Sequence, residues 1–257
     1  MKRLFYSIAT LGIATSISIS ITSFQKQTKN RLEKKNIESK GFVVMELFTS
    51  QGCSSCPAAD EILGNYAKQE TANIFPLSFH VDYWNRLGWV DSFSNPAYTL
   101  RQNEYASRFN LESIYTPQLI INGQKELVGS DVEKITALVA NALNEKPEAS
   151  ISITNKHLDN EKITVEYKVS AQLPAISCIG VLVQNKVTTK IKAGENRGRS
   201  LINYNVVRDL AKYQLPGLIG NCILRLPPGN NTAGFQVVLF LQENKTGKII
   251  AATRQNL

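Results

Sequence analysis

The sequence predicts an α/β domain followed by an all-β domain, and two observations lead to this fold class. Before residue 147, apolar runs typical of strands alternate with segments of helical period, which is the order of an α/β fold. After it, short strand-like runs are separated by turn signals and no long helical pattern appears, which favours a β-sandwich. We therefore predict a first domain over residues 41–146 and a sandwich-like domain over 147–257.

The N-terminus has the composition of an export signal. Lys2 and Arg3 precede an uncharged apolar run over residues 4–21, and a polar, lysine-rich stretch follows. We predict a signal peptide or N-terminal anchor over residues 1–23 and a polar linker over residues 24–40. The apolar run is close to the minimum that spans a bilayer, so an uncleaved membrane tether stays open beside a cleaved signal. Either outcome predicts a periplasmic or secreted protein.

The net charge of +8 is unevenly distributed along the 257 residues. Lys and Arg dominate the first 40 residues and the chain after residue 147, whereas residues 41–147 carry an excess of Asp and Glu. No nucleic-acid-binding motif accompanies the basic segments, so we predict no nucleic-acid partner. The opposite charges of the two domains favour packing between them. No pattern in the sequence indicates an oligomeric state.

The first element carries the main candidate site. An apolar run from Val43 to Phe48 leads through small polar residues to Cys53, Cys56 and Pro57, which predicts a strand, a tight turn and the start of a helix. A cysteine at a helix N-terminus is stabilised as a thiolate, the reactive form of the side chain. Glu46 lies on the strand before the motif, and we predict that its carboxylate accepts the proton of Cys56 if it faces the helix.

A helix over residues 58–68 and a buried strand over residues 73–83 follow, so the first two strands should be parallel. Their carboxyl ends then meet at one edge of the sheet, which brings His80, Asp82 and Trp84 towards the cysteines. His80 is predicted as a proton donor or acceptor or as a metal ligand, against the alternative of a hydrogen-bonded core histidine. Asp82 is a site residue or a turn cap, and Trp84 lines a substrate groove or packs in the core.

The rest of the first half supplies three further elements. A helix begins at Pro96 and is expected to end near Phe109. Pro117 opens a strand over residues 118–121, because a proline cannot donate to the strand ladder. Asn122 and Gly123 predict a hairpin turn, and a closing helix follows Asp131.

These features resemble the thioredoxin fold, in which a Cys-x-x-Cys at a strand-to-helix junction faces a later cis-proline. The resemblance implies that Thr116 and Pro117 belong to the active site and that their peptide bond is cis. A closer resemblance is to a family of secreted bacterial thioredoxin-like proteins of unassigned function. It covers Glu46 to Pro57, Phe79 to Trp84, Tyr115 to Gln118 and Gly194 to Arg199.

The resemblance implies an exported thiol–disulfide oxidoreductase that acts on protein or small thiol partners without a cofactor. Cys53 is expected to be the exposed, attacking thiol and Cys56 the buried, resolving one. Two alternatives remain. A copper carrier would use Cys53, Cys56 and His80 as ligands. A non-catalytic binding module would hold the Cys53–Cys56 disulfide permanently.

The second half offers two further candidates. Cys178 and Cys222 are expected to form a structural disulfide, with two buried free thiols as the alternative. The loop from Gly194 to Arg199 is basic, and it is either an anion cradle, a contact to the acidic first domain or a simple hairpin turn. Its arginines and Arg208 are the residues we expect to contact the first domain.

Overall fold

A computed structural model describes residues 41–69, 71–171 and 174–257. The predicted signal or anchor and the linker lie outside these residues. Residues 41–257 form one compact unit. In the described part of the chain, no helix combines the length and the apolar character that crossing a membrane requires.

The described residues form eleven strands and three α-helices, which occur in the order expected from the sequence in the first half. In chain order they are β1 (Val43–Thr49), α1 (Cys56–Lys68), β2 (Ile74–His80), α2 (Pro96–Phe109), β3 (Gln118–Ile121), β4 (Lys125–Val128), α3 (Val132–Asn144), β5 (Ile151–Asp159), β6 (Lys162–Val169), β7 (Ile176–Lys190), β8 (Ser200–Gln214), β9 (Ile219–Arg225), β10 (Phe235–Glu243) and β11 (Ile249–Asn256). A short 3-10 helix, Asn85–Leu87, follows β2.

Eight of the strands form one mixed sheet in the order β11-β10-β7-β8-β2-β1-β3-β4. Strands β1 and β2 are parallel, as predicted, with Thr49 aligned with His80. Strand β8 pairs with β2 in parallel through Ser78 and Val206, so strands from both sides of residue 147 share this sheet. The functional elements of the first half and the long hairpin of the second half are therefore held in one sheet.

The remaining three strands form an antiparallel sheet in the order β5-β6-β9. Its apolar side chains pack with those of β7, β10 and β11 in one buried cluster. The chain is thus a mixed α/β structure with a large mixed sheet and a second antiparallel sheet. Two strands predicted separately, over residues 179–184 and 187–191, are a single long strand, β7.

The two faces of β1 are buried against different helices. Val43, Met45 and Leu47 pack with residues of α1 and α3. Val44 and Phe48 pack with aromatic residues of α2 on the opposite face. Side chains of a strand alternate between its faces, so this register decides which polar residues of β1 lie beneath α1.

Cys178 and Cys222 are buried free thiols, which corrects the prediction of a structural disulfide. Gly180 lies two residues from Cys178 on β7, so it belongs to the same face of the strand. The Cys222 sulfur rests against this glycine, only 2.2 Å from the position that a Cβ atom would take there. The Cys222 sulfur therefore fills the space that a side chain at residue 180 would occupy. Both cysteines act as small apolar side chains in the core between the sheets.

Candidate functional site

The cysteine pair lies in the turn between β1 and α1. The sulfur atoms of Cys53 and Cys56 are joined as a disulfide. Helix α1 begins at Cys56, with Pro57 in its first turn, where the missing N–H costs no intrahelical hydrogen bond. Cys53 was expected at the helix N-terminus and instead lies three residues before it, where its carbonyl accepts a hydrogen bond from the Cys56 amide.

Both cysteines are completely buried, which corrects the expectation that Cys53 is exposed. The Cys53 sulfur lies 3.9 Å from the carbonyl oxygen of Thr116 and 3.3 Å from the hydroxyl of Ser55. Its backbone carbonyl accepts a hydrogen bond from the side chain of Asn196, on the β7–β8 loop. Distant segments therefore contact both the sulfur and the backbone of Cys53, which the local pattern around the cysteines could not indicate.

The Thr116–Pro117 peptide bond is cis, as predicted. It precedes β3, which pairs antiparallel with β1 and so brings Thr116 beside Cys53. Tyr83 lies nearby, and burial raises the pKa of its hydroxyl to about 12, while interactions with Gln102 and Thr116 oppose the increase. The predicted neighbourhood of Thr116, Pro117 and the cysteines is present.

Glu46 does not face the cysteines, which corrects its prediction as the proton acceptor of Cys56. It lies on the α2 face of β1, where its two carboxylate oxygens accept hydrogen bonds from Arg101 at 2.5 and 2.9 Å. The Tyr105 hydroxyl donates a further hydrogen bond of 2.5 Å. Glu46 is fully buried and Arg101 nearly so. The pair neutralises both charges in the core and leaves Glu46 no role at the sulfur atoms.

His80 lies on the same face of the sheet as Thr49, beneath α1. Its Nδ1 atom is 2.7 Å from Oδ2 of Asp91, and both side chains are buried. Burial lowers the pKa of His80, but the charge and hydrogen bond of Asp91 and the charge of Asp60 outweigh it, so the pKa is raised. The pKa of Asp91 is lowered, because His80 and backbone hydrogen bonds outweigh its burial. His80 and Asp91 therefore form a buried ion pair.

Asp60, like Asp91, is an acidic residue of this region that the sequence did not place in the site. It follows Cys56 by four residues, so the two side chains share one face of α1. Burial raises the pKa of Asp60 to about 6, although the charge of His80 opposes the shift. The available signal was the spacing of four residues from Cys56 on the buried face of the helix.

Asp82 and Trp84 lie at the carboxyl end of β2 with different surroundings. Asp82 accepts a 2.6 Å hydrogen bond from the Thr99 hydroxyl in the first turn of α2, so its carboxylate is directed towards that helix. The Cβ of Trp84 lies 3.5 Å from the position that a Cβ atom on Gly52 would take, so this tryptophan packs against the turn before Cys53.

Two loops fix the turn that carries Cys53. From the segment after β2, Asp91 accepts a 2.8 Å hydrogen bond from the backbone N–H of Gln51. From the β7–β8 loop, Asn196 donates hydrogen bonds of 2.9 Å to the carbonyls of Gln51 and Cys53. Glu195 on the same loop accepts a 2.9 Å hydrogen bond from the backbone N–H of Ser54. Asp91 and Asn196 lie 40 and 145 residues from Gln51, so no local sequence pattern could indicate that they contact this turn.

The β7–β8 loop is thus both a hairpin connection and a contact to the first half of the chain. Arg199 donates a 3.1 Å hydrogen bond to the side-chain oxygen of Asn196 and orients its amide towards the turn. Arg197 is exposed. Arg208 lies over the ring of Phe93, at 4.9 Å, and so contacts the segment after β2, as predicted.

The copper alternative requires Cys53, Cys56 and His80 together. Among residues 41–69, 71–171 and 174–257, no three His, Cys, Asp or Glu side chains are arranged to hold a metal ion. His80 is instead engaged with Asp91 through Nδ1. The copper carrier stays a prediction.

Comparisons with known proteins place the chain in a family. It is similar to protein AGR_C_4864 from Agrobacterium tumefaciens, with 27% identity and a TM-score of 0.64 over 82% of this chain and 92% of that one. It shares its fold with HBP35 of Porphyromonas gingivalis, with 14% identity and a TM-score of 0.52 over 85% and 76% of the chains. No curated protein matches it. The model of a family described as a protein of unknown function, DUF1223, matches residues 44–242, so the chain belongs to the DUF1223 family.

Proposed function

We propose that this protein is a thioredoxin-like thiol–disulfide oxidoreductase of the cell envelope, with Cys53 and Cys56 as its redox pair. The observation that carries the proposal is the contact between the Cys53 sulfur and the carbonyl of Thr116, 3.9 Å away, beside Pro117. A carbonyl beside a reactive sulfur can accept a hydrogen bond from the backbone of a bound peptide, so this arrangement suits an exchange site.

The order of elements supports the thioredoxin-like part of the proposal. A strand, a helix that begins at Cys56, a parallel strand, a second helix, a hairpin led by Pro117 and a third helix follow one another. Helix α1 presents its N-terminal N–H groups on the side of the disulfide. A thiolate that forms at Cys56 is stabilised there by the helix dipole, which favours cleavage of the disulfide.

The exchange would proceed in two steps. A substrate thiolate attacks Cys53, the bond between the two cysteine sulfurs breaks, and Cys56 leaves with the electron pair as a thiolate. A second substrate thiolate then attacks the mixed disulfide and releases Cys53. The substrate dithiol is oxidised to a disulfide and the enzyme disulfide is reduced to two thiols. The reverse steps reduce a substrate disulfide.

The partners we propose are proteins or small molecules that carry thiols or disulfides. The basic, then apolar N-terminus supports export, released or tethered, to a compartment where disulfides persist. Since Cys53 is buried, a partner must displace part of the cover made by Thr116 and the β7–β8 loop.

Trapping of mixed disulfides tests the proposal. In the Cys56→Ser variant, Cys53 cannot be released by its neighbour, so partners should accumulate in adducts that reducing agent removes. Cys53→Ser/Cys56→Ser is the matched control and should trap none. A wild-type pair that strong thiol reductants cannot reduce, together with no adducts in Cys56→Ser, would favour a static disulfide in a binding module. A stoichiometric Cu(I) complex that His80→Ala loses would favour the copper carrier.

A further inference from the structure

A set of buried polar atoms lies behind the disulfide, beneath α1. The carboxyl of Asp60 interacts here with the side chains of Thr49 and Asn203 and with the charge of His80. Within the described residues, Nε2 of His80 has no hydrogen-bond partner. Each of the four side chains is at most 5% exposed. Buried polar atoms are normally paired, so a buried carboxyl next to an imidazole nitrogen without a partner, beside a reactive pair, indicates a function beyond packing.

The four residues converge from four elements of the fold. Thr49 and His80 are aligned on the neighbouring parallel strands β1 and β2. Asn203 comes from β8, the strand on the other side of β2. Asp60 lies above them on α1, where the charge of His80 and the polar groups of Thr49 and Asn203 each lower its pKa against the larger effect of burial.

Asp60 is also the carboxyl group that shares a helix face with Cys56. Residues four apart on a helix have Cβ atoms about 6 Å from each other. On the other side of Asp60, His80 is held through Nδ1 by Asp91, so its unpaired atom is Nε2. Asp60 therefore lies on the helix face of Cys56 and within reach of the charge of His80, and we call Cys56, Asp60, His80 and Asp91 the path.

The charges around this path favour a proton that moves at neutral pH. Asp60 on α1, Asp91 in the segment after β2 and Arg208 on β8 are the charged groups that act on His80. Asp91 and His80 neutralise each other's charge. The charge of Arg208 lowers the pKa of His80, but by less than the charge of Asp60 raises it. The carboxyl of Asp60, with a pKa of about 6, is therefore the member of the path that changes its charge near neutrality.

We propose that Asp60 donates a proton to Cys56 when the disulfide is cleaved and takes it back when the disulfide forms, while His80, held by Asp91, stabilises the Asp60 carboxylate. This inference rests on the proposed exchange function. As the bond between Cys53 and Cys56 breaks, the Cys56 thiolate receives the proton of the Asp60 carboxyl. The carboxylate that remains faces the positive charge of His80. In the reverse step, the Cys56 thiol returns its proton to Asp60 before its sulfur attacks Cys53.

The test is the pH dependence of disulfide cleavage by dithiothreitol, followed by trapping free thiols and measuring mass. The rate, divided by the concentration of the dithiothreitol thiolate, should fall at least tenfold in the wild type between pH 5 and pH 8. General acid catalysis typically contributes 10²-fold or more, so such a loss is measurable. Asp60→Asn should show a flat profile. Glu61→Gln removes an exposed carboxylate from the next position of α1 and should behave as the wild type.

The outcomes separate this inference from the proposed function. If the wild-type disulfide resists dithiothreitol at every pH, the exchange function is overturned. If it is cleaved and Asp60→Asn has the same profile as the wild type, only the proton transfer is overturned. A second measurement needs no variant: the carbon-13 signal of the Asp60 carboxyl should titrate at a different pH in the oxidised and the reduced wild type. Identical titrations in the two states would also overturn the proton transfer.

Discussion

Replacing Asp60 with asparagine should stabilise the oxidised protein progressively as the pH rises. Asp60 is only 5% exposed, and burial raises its pKa from 3.8 to about 6. An acid with a raised pKa in the folded state contributes stability below its unfolded pKa and loses that contribution as the pH rises through its folded pKa. For Asp60 the loss therefore occurs between about pH 4 and pH 6.

The size of the effect follows from the same two values. The difference between 3.8 and about 6 corresponds to about 3 kcal/mol, at 1.36 kcal/mol for each pKa unit. Asparagine has nearly the same shape and carries no charge, so Asp60→Asn removes this pH-dependent cost. The free energy of unfolding of the variant relative to the wild type should increase by about 3 kcal/mol between pH 4 and pH 8.

Urea unfolding without reductant measures this difference. Trp84 and Trp89 lie near the site, so their fluorescence reports on its unfolding. The Glu61→Gln variant is the matched control, because it removes an exposed carboxylate from the same helix. A difference between Asp60→Asn and the wild type that is constant with pH, or that shrinks as the pH rises, would refute the assignment of Asp60 as a destabilised carboxylate.

Three further predictions concern other parts of the fold. Arg101→Met leaves the carboxylate of Glu46 buried without its ion pair and should lower the free energy of unfolding by about 3 to 5 kcal/mol in urea titrations. Gly180→Ala places a Cβ atom 2.2 Å from the Cys222 sulfur and should cost about 1 to 3 kcal/mol in the same assay. Asn196→Ala removes two hydrogen bonds from the turn before α1 and should increase the rate at which iodoacetamide labels the reduced protein.

Each of these predictions has its own control. Adding Glu46→Gln to Arg101→Met should recover part of the lost stability, and equal instability of the double variant would count against the ion pair. Cys222→Ala should reduce the cost of Gly180→Ala, since it removes the clashing sulfur, and purely additive effects would contradict that contact. Arg197→Ala changes an exposed side chain of the same loop as Asn196, so it should leave the labelling rate unchanged; equal acceleration would show a general loosening of the loop.

The local part of the site could be predicted from the sequence. The parallel pairing of β1 and β2 follows from their order with α1, and it correctly brings His80 to the same edge of the sheet as the cysteine motif. The cis bond before Pro117 was expected from a family resemblance. These features depend on contacts within or between neighbouring elements, which short sequence patterns describe well.

The failures share a physical cause, which is burial by distant residues. Every residue of β1 is buried, so its hydrophobic pattern does not show which face Glu46 occupies. The ion pair of Glu46 depends on Arg101 of α2, which lies 55 residues further along the chain. The backbone of Cys53 is bonded by Asn196, 143 residues away, and its sulfur lies against Thr116, 63 residues away. Only the three-dimensional arrangement reveals that Cys53 is buried and that Glu46 lies on the wrong face.

Two buried carboxylates near the same strand therefore have different chemistry because their partners differ. Glu46 receives hydrogen bonds from Arg101 and Tyr105, and this arrangement holds it as a charged structural group. For Asp60, burial outweighs the interactions with His80, Thr49 and Asn203, and the pKa of this carboxyl is about 6. If Asp60 served only packing, asparagine would be the more stable choice at neutral pH. A variant that gains stability but loses the pH dependence of exchange would show that the carboxyl is maintained for proton transfer with Cys56.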